Sequence, residues 1–489
     1  MIFRIISLLL LLMTSIHSSP QYVMTGNMRM AWENIVDLEL DSVRACLDNE
    51  MHSNPENPYL FYYNHYTCFL NTLLSGITAD YEQFMGVSGK LTEALRESDS
   101  NHPEYLFLLS SMNLQRAFLN FYYGDQWQGI KNFYTAYRMA KQNSYDYPLF
   151  NPNLKIEGIS ELIISSVPEN YKWILNWLGI GAELREAIGK LERYYATCSA
   201  EEKPEALIIL ALAYGQILVD REKAYALLQG CEERTTNRSI VKPFLAYYAS
   251  VSGHVSEAVR VLESGLQQGE IWRNQAALLL GTAKLNGLEQ EAGQYLEDFL
   301  WNYKGINHIR TAHHKLSWYY LINGDTTRYI RHKQMVLSAG TDLFATDKQA
   351  TAEASVPGYP DIHLLKARLL FDGSMYDWSL EILENICMDE LDTEKEQQEF
   401  AYRMARVCQK LEMTARAKEL YQAVLATDHH LQTYYAPYSA LQLGLMAESE
   451  GRYEEAVKYY ETCLEINKGE YRSGIEREAK MRLERLRNQ

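Results

Sequence analysis

Between Pro437 and Gly469 the chain reads PYSALQLGLMAESEGRYEEAVKYYETCLEINKG, and its apolar positions fall at helical spacing on either side of one glycine. Leu441, Leu445 and Ala447 mark one face of a first helix, Gly451 marks a turn, and a second helix opens at Tyr453 with Ala456, Tyr459, Tyr460 and Leu464 turned inward. Gly444, Ala456 and Tyr460 stand at small, small and large positions. Antiparallel helices approach closely only where both carry small side chains, and a bulky neighbour fills the wedge beside them. The same offsets recur upstream at Ala405, Ala417 and Tyr421 and at Ala246, Ala258 and Leu262, and more loosely at Ala367, Ser379 and Leu383 and at Leu280, Ala292 and Leu296. Gly253, Gly287, Gly324, Gly373 and Gly451 punctuate the pattern at the expected turns.

This small-small-large spacing resembles the tetratricopeptide repeat, with Gly444, Ala456 and Tyr460 at its three signature positions. The resemblance runs from about Pro204 to Lys468. It implies an all-α fold, a superhelical array of helix-turn-helix repeats, in which stacked repeats bury faces that none could bury alone. Pro is scarce (12) and strand-forming clusters are few, which agrees with an all-α reading. The expected organisation is a leader over 1–19, an N-terminal helical region over 20–203 with an apolar hairpin at 155–181, and repeats over 204–489.

The hairpin is the most apolar stretch beyond the first twenty residues, GISELIISSVPENYKWILNWLGIG from Gly158 to Gly181. Pro168 divides it, and Glu169, Asn170 and Lys172 follow, so no piece reaches the roughly 20 apolar residues that span a bilayer. Ile156, Ile159, Ile163 and Val167 form the predicted face of the first helix. Tyr171, Ile174, Leu175 and Leu178, flanked by Trp173 and Trp177, form that of the second. Such faces on short helices are ordinarily core, and an apolar ligand or a membrane interface is the competing reading.

Around residues 157–192 the segment EGISELIISSVPENYKWILNWLGIGAELREAIGKLE resembles the tetratricopeptide-repeat protein 39 and inclusion-body-clearance family, at Gly158, Ser165 or Ser166, Pro168, Leu178, Gly179 and an offset Gly181. That resemblance implies helical repeats, no enzymatic role and an association with lipid droplets.

The first residues, MIFRIISLLLLLMTSIHSSP, carry one cation, an apolar run from Ile5 to Met13 and a small polar end, the layout of a secretory signal peptide. An exported protein is expected, periplasmic or in the cell envelope if bacterial and secreted otherwise. The seven cysteines are scattered and odd in number, with no C-x-x-C pair, and do not read as a disulfide framework. A formal charge of -16 lacks the basic footprint that nucleic acid requires. The expected partner is a protein or peptide, with membrane or lipid association left open.

Catalytic and phosphate-binding motifs are absent, and no enzyme, cofactor or metal is expected. His308, His313 and His314, and the pair His429 and His430, lack a spacing that shares one helix face. The repeat register supplies the binding candidates. In tetratricopeptide repeats the inner face takes particular first-helix positions, which here implies Tyr402, Arg406, Gln409 and Lys410, and one repeat earlier Leu364, Arg368 and Phe371. Arg368 and Arg406 fall at equivalent positions, where two guanidiniums could hold a carboxylate by bidentate contacts. Three functions follow: a scaffold for a protein or peptide, an apolar-ligand or lipid-associated protein using Ile163, Pro168, Tyr171, Trp173, Ile174 and Trp177, and a glycan-binding protein similar to the SusD-like receptors.

Overall fold

A computed structural model describes residues 22–167, 173, 175, 179–267, 271–387, 391, 393–427, 433–466 and 472–487. The leader, and Pro168, Tyr171, Ile174, Trp177, His429 and His430, lie outside the described residues. Every regular element described is helical. In chain order the helices are α1 Gly26–Val36, α2 Leu40–Ser53, α3 Pro58–Ser75, α4 Thr78–Arg96, α5 Pro103–Tyr122, α6 Gln126–Asp146, α7 Asn153–Ser165, α8 Leu184–Thr197 and α9 Lys203–Leu212. A π turn at Ala213–Ile217 precedes α10 Arg221–Gln229, α11 Glu233–Thr236, α12 Lys242–Val251, α13 Val255–Gly265, α14 Arg273–Asn286, α15 Ala292–Asn302, α16 Ile309–Ile322 and α17 Thr326–Ser338. Then come α18 Ala345–Ser355, α19 Ile362–Asp372, α20 Tyr376–Glu384, α21 Glu394–Lys410, α22 Thr414–Ala426, α23 Tyr435–Ser449, α24 Tyr453–Ile466 and α25 Arg472–Arg487. The chain is all-α. Among the described residues no helix is long and apolar enough to cross a membrane.

The helices fall into two compact units, one of residues 1–162, 183–210 and 237–240, the other of 163–182, 211–236 and 241–489. Within the first, polar residues are buried and paired. Lys155 meets Glu205 at 2.9 Å, and Tyr66 donates to Glu205 at 3.1 Å. Lys190 reaches Glu157 at 2.6 Å and Glu161 at 2.5 Å.

These pairs overturn the predicted face of α7. Ile156 is buried as expected, but the buried positions beside it include Glu157, Ser160, Glu161, Leu162 and Ile164, while Ile163 is 42% exposed. A buried charge is tolerated where an opposite charge meets it, so polarity along α7 does not mark its solvent side. Trp173 is 63% exposed.

In the second unit, helices pair as α12 with α13, α14 with α15, α16 with α17, α19 with α20, α21 with α22 and α23 with α24. The predicted turns at Gly253, Gly287, Gly324, Gly373 and Gly451 all fall between paired helices. Ala405, Ala417 and Tyr421, and Ala246 and Ala258, are fully buried. At Gly444 a Cβ would lie 2.4 Å from the Tyr460 ring, so only glycine allows that approach. Ser379, the odd residue among the small ones, donates its hydroxyl to the Ala367 carbonyl at 2.8 Å. One register moves: Leu296 packs against Gly281, where a Cβ would lie 2.8 Å away, so Gly281 and not Leu280 is the close-contact residue. α18 belongs to no pair and is inserted between α17 and α19.

Candidate functional site

A cleft of about 360 Å³ lies in the second unit among α16, α18, α19, α21 and α23, closed on one side by the strap Val356 to Asp361. Trp318, Tyr329, Tyr359 and Tyr434 supply its aromatic walls, with Arg368, Lys333, Glu353 and Arg403 among its charged groups.

α18 is tied into this cleft mainly through polar groups. Asp347 accepts from the backbone amides of His308 at 2.8 Å and Thr311 at 2.9 Å, and so caps the start of α16, where His308 takes a left-handed φ of 64°. Glu353 receives both terminal nitrogens of Arg368 at 2.9 Å and one from Gln349 at 2.8 Å. Its large apolar anchors are absent: Ala350 and Ala354 are the residues it packs against Val336. Lys333 holds the strap through the Gly358 carbonyl at 2.9 Å, which also accepts from Tyr329 at 3.3 Å.

The electrostatics follow from burial and pairing. Burial alone would raise the Glu353 carboxyl, but Arg368, His314 and hydrogen bonds from Arg368 and Gln349 outweigh it and hold it well below the usual carboxylate range. Burial pushes His314 down to about 3, so its ring is neutral at ordinary pH. Burial, then the neighbouring Arg368, brings the Lys315 amine down to about 8. Arg403 pairs with Glu399 in the same wall.

The candidates from sequence separate here. Arg368, Phe371 and Arg406 come together: the Arg368 guanidinium lies 4.6 Å from the Trp318 ring centre, and that of Arg406 3.9 Å from Phe371. Arg368 is only 16% exposed at its side chain and is already clamped by Glu353, so it is no open receptor for a second carboxylate. Tyr402 is a core residue, 1% exposed, packed against Tyr434, Tyr435 and Tyr438, and Leu364 is buried likewise. Neither can face a partner: the Tyr402 ring packs among the α23 tyrosines, and Leu364 belongs to the same buried cluster. Gln409 donates to Gln442 at 3.0 Å and accepts from Tyr421 at 2.6 Å. Lys410 is exposed and lies 6.0 Å from the Tyr376 ring centre.

Sequence reasoning missed Trp318, Lys315 and Glu353. A signal for the first existed. Ala367 precedes the left-handed Ser374 by the same distance as Ala405 precedes Glu412 and Ser317 precedes Gly324. Extending that register places Trp318 in line with Arg368 and Arg406. Glu353 had no such signal, since α18 lies outside the repeat. His313 and His332 join Nδ1 to Nδ1 at 3.0 Å, and no group of three metal-ligating side chains converges among the described residues.

No family model matches the chain, and no curated protein sequence is detectably similar. Among solved structures, the IFIT1 monomeric mutant with Gppp-AAAA is 14% identical, covering 91% of each chain with a TM-score of 0.38. The Cut9–Hcn1 complex is 11% identical over 95% of this chain and 96% of that one, TM-score 0.28, and yeast Tom70 is 12% identical over 94% and 96%, TM-score 0.25. Similarity at this level transfers no residue and no ligand, and the resemblance of 157–192 to the protein 39 family is not shown by it. The architecture rests on the helix pairs themselves, which make the chain similar to tetratricopeptide-type helical-repeat proteins.

Proposed function

We propose that this protein is an exported, non-enzymatic helical-repeat scaffold that binds a protein or peptide through the first-helix face of its second unit. The observation that carries the reading is the alignment of Arg368 and Arg406 at equivalent positions of successive helix pairs, with the buried Trp318 ring beneath Arg368, in the same unit as a cleft whose wall includes the exposed Tyr359. Aromatic and arginine side chains of this kind dominate recognition at protein interfaces. The formal charge of -16 favours a polypeptide partner over nucleic acid. Export rests on the layout of the first twenty residues.

A photo-crosslinking residue at Lys395, on the cleft rim, and another at Lys131, exposed on the first unit, test the proposal in the native cell. One polypeptide should be captured at 395 and not at 131. The same polypeptide, purified, should bind the Tyr359→Ala variant about tenfold more weakly, a loss of about 1.4 kcal/mol, since Tyr359 lines the cleft and is exposed. Equal capture at both positions, or binding indifferent to Tyr359, would refute it. The exposure of Ile163 and Trp173 favours a second reading, an apolar ligand at 155–181, which predicts extractable lipid in place of a crosslinked polypeptide.

A further inference from the structure

α18 stands outside the helix pairs of the second unit, and it is held there by different forces. α16 and α19 share one apolar cluster, to which Leu316, Leu321, Leu365 and Leu369 belong, and no residue of α18 joins it. The buried residues of α18 are Asp347, Ala350 and Ala354, the two alanines lying against Val336.

Its other ties are polar. Asp347 holds the start of α16 through the His308 and Thr311 amides and the Thr311 hydroxyl, the last at 2.8 Å, and Thr351 accepts from Arg310 at 2.8 Å. Glu353 is forked onto Arg368 and lies 3.6 Å from His314 Nε2, and just past the helix the Val356 carbonyl accepts from Lys333 at 2.5 Å. A buried apolar face cannot leave its seat without meeting water, whereas polar ties are exchanged for bonds to water, and lifting the whole helix hydrates both partners of each pair instead of stranding one. Segments held in this way sit at the low-stability end of a fold, from which moving elements are drawn.

Both ends of the insertion are pivots. Gly340 and Gly358 take left-handed φ values of 61° and 81°. Next to the first, the Thr341 amide donates to Ile306 at 3.1 Å; at the second, the Gly358 carbonyl accepts from Lys333 and Tyr329, and Tyr359 lies against Tyr329 with ring centres 5.1 Å apart. The chain beyond each glycine is therefore pinned while the helix between them is not.

What α18 covers is one wall of the cleft, since Glu353 lies against Arg368 and His314 and both line it. Pockets of about 300–1,000 Å³ suit small ligands, so a cleft of about 360 Å³ admits only a few residues of a polypeptide. A longer segment needs more room.

We infer that α18 is a gate on this cleft, swinging on Gly340 and Gly358, which must lift before a partner polypeptide can bury more than a few residues there. The inference adds regulation to the scaffold reading and rests on it. The closed form competes with the partner, whose apparent affinity is reduced by the fraction of molecules that are open, so whatever loosens α18 tightens binding.

Labelling reads the gate without a partner. Val336 is wholly buried against Ala350 and Ala354, so in the full chain the thiol of Val336→Cys meets N-ethylmaleimide when α18 lifts, and peptide mass spectrometry separates it from the native cysteines. Adding Glu353→Gln, or Asp347→Asn at a residue that does not line the cleft, should speed labelling about tenfold, with amide hydrogen exchange over Leu365 to Leu369 unchanged. A labelling rate equal to that of global unfolding, or one that neither variant changes, would overturn the gate. The polypeptide captured at 395 supplies the second readout. It should bind both loosened variants about tenfold more tightly than the parent, and saturation with it should speed hydrogen exchange over 345–356. A fixed wall predicts equal or weaker binding and slower exchange, and that result removes the gate while the scaffold stands. Faster labelling with no polypeptide captured, from the parent or from either loosened variant, sinks the scaffold and leaves the lifting of α18 established.

Discussion

Glu353 and Arg368 meet through two parallel hydrogen bonds of 2.9 Å, and this fork-to-fork contact ties the inserted helix α18 to the repeat helix α19. The pair is mostly shielded, with side-chain exposures of 22% for Glu353 and 16% for Arg368.

Removing one partner strands the other, so Glu353→Gln should cost about 2–3 kcal/mol in urea denaturation, somewhat less than a fully buried pair would lose. Replacing both residues with apolar ones should cost less than either single change. The pH dependence has a definite sign. The folded carboxyl sits below its ordinary value, so its stabilisation is complete above about 4.5 and is lost as pH falls below that. Glu353→Gln should flatten that acid limb; an unchanged limb would show that the pair contributes nothing.

Burial, with Glu202 nearby, raises the Glu104 carboxyl in the first unit to about 7 from an ordinary 4.5. Between those values this carboxyl holds more of its proton in the folded chain than in the unfolded one, so its contribution to stability falls as pH rises from 4.5 to about 7 and is level beyond. Glu104→Gln should remove this slope. Calorimetric melts of both proteins across the window decide it: buried neutral histidines such as His314 raise the stability of both with pH, so the parent should lose ground to Glu104→Gln as pH rises, and a constant difference would contradict the assignment.

Two glycines in helices should respond oppositely to alanine. A Cβ at Gly444 would meet the buried Tyr460 ring at 2.4 Å, while that ring is held by its hydroxyl bond to Glu448 at 2.6 Å, so Gly444→Ala should lose about 2 kcal/mol despite its gain in helix propensity. A Cβ at Gly86 in α4 would meet no neighbouring group within 4 Å, and Gly86→Ala should gain about 0.5–1 kcal/mol. Chemical denaturation of the two variants checks the sign of each.

The turn into α10 places Val219 at φ 58°, a left-handed conformation that a β-branched residue adopts only under strain. The amide of Asp220 closes that turn by donating to the Tyr214 carbonyl at 2.9 Å, as the amide of Arg452 does to Ala447 after Gly451. Val219→Gly should therefore raise the thermal midpoint, with about 1 kcal/mol gained from relieved strain. A lowered midpoint would mean that the valine side chain contributes more packing than its exposure suggests.

Helices and turns were legible because their signals are local. Ala405, Ala417 and Tyr421 announce a close helix pair through side-chain size alone, and Gly253, Gly324 and Gly451 announce turns through backbone freedom. The face of α7 was not legible, because Glu157 and Glu161 are buried by virtue of Lys141 and Lys190, which lie on two other helices. Tyr402 was misplaced for a related reason: a register position says which side of a helix a residue occupies, not whether a neighbouring tyrosine cluster covers it.

The amino-acid sequence alone determined that this chain is a string of paired helices, since periodicity, small-residue spacing and glycine turns act within a few residues of one another. Only the tertiary structure decided which charges are spent and which are free. Glu353 on the inserted helix neutralises Arg368 fifteen residues away, and such pairing depends on distances through space that no spacing along the chain encodes.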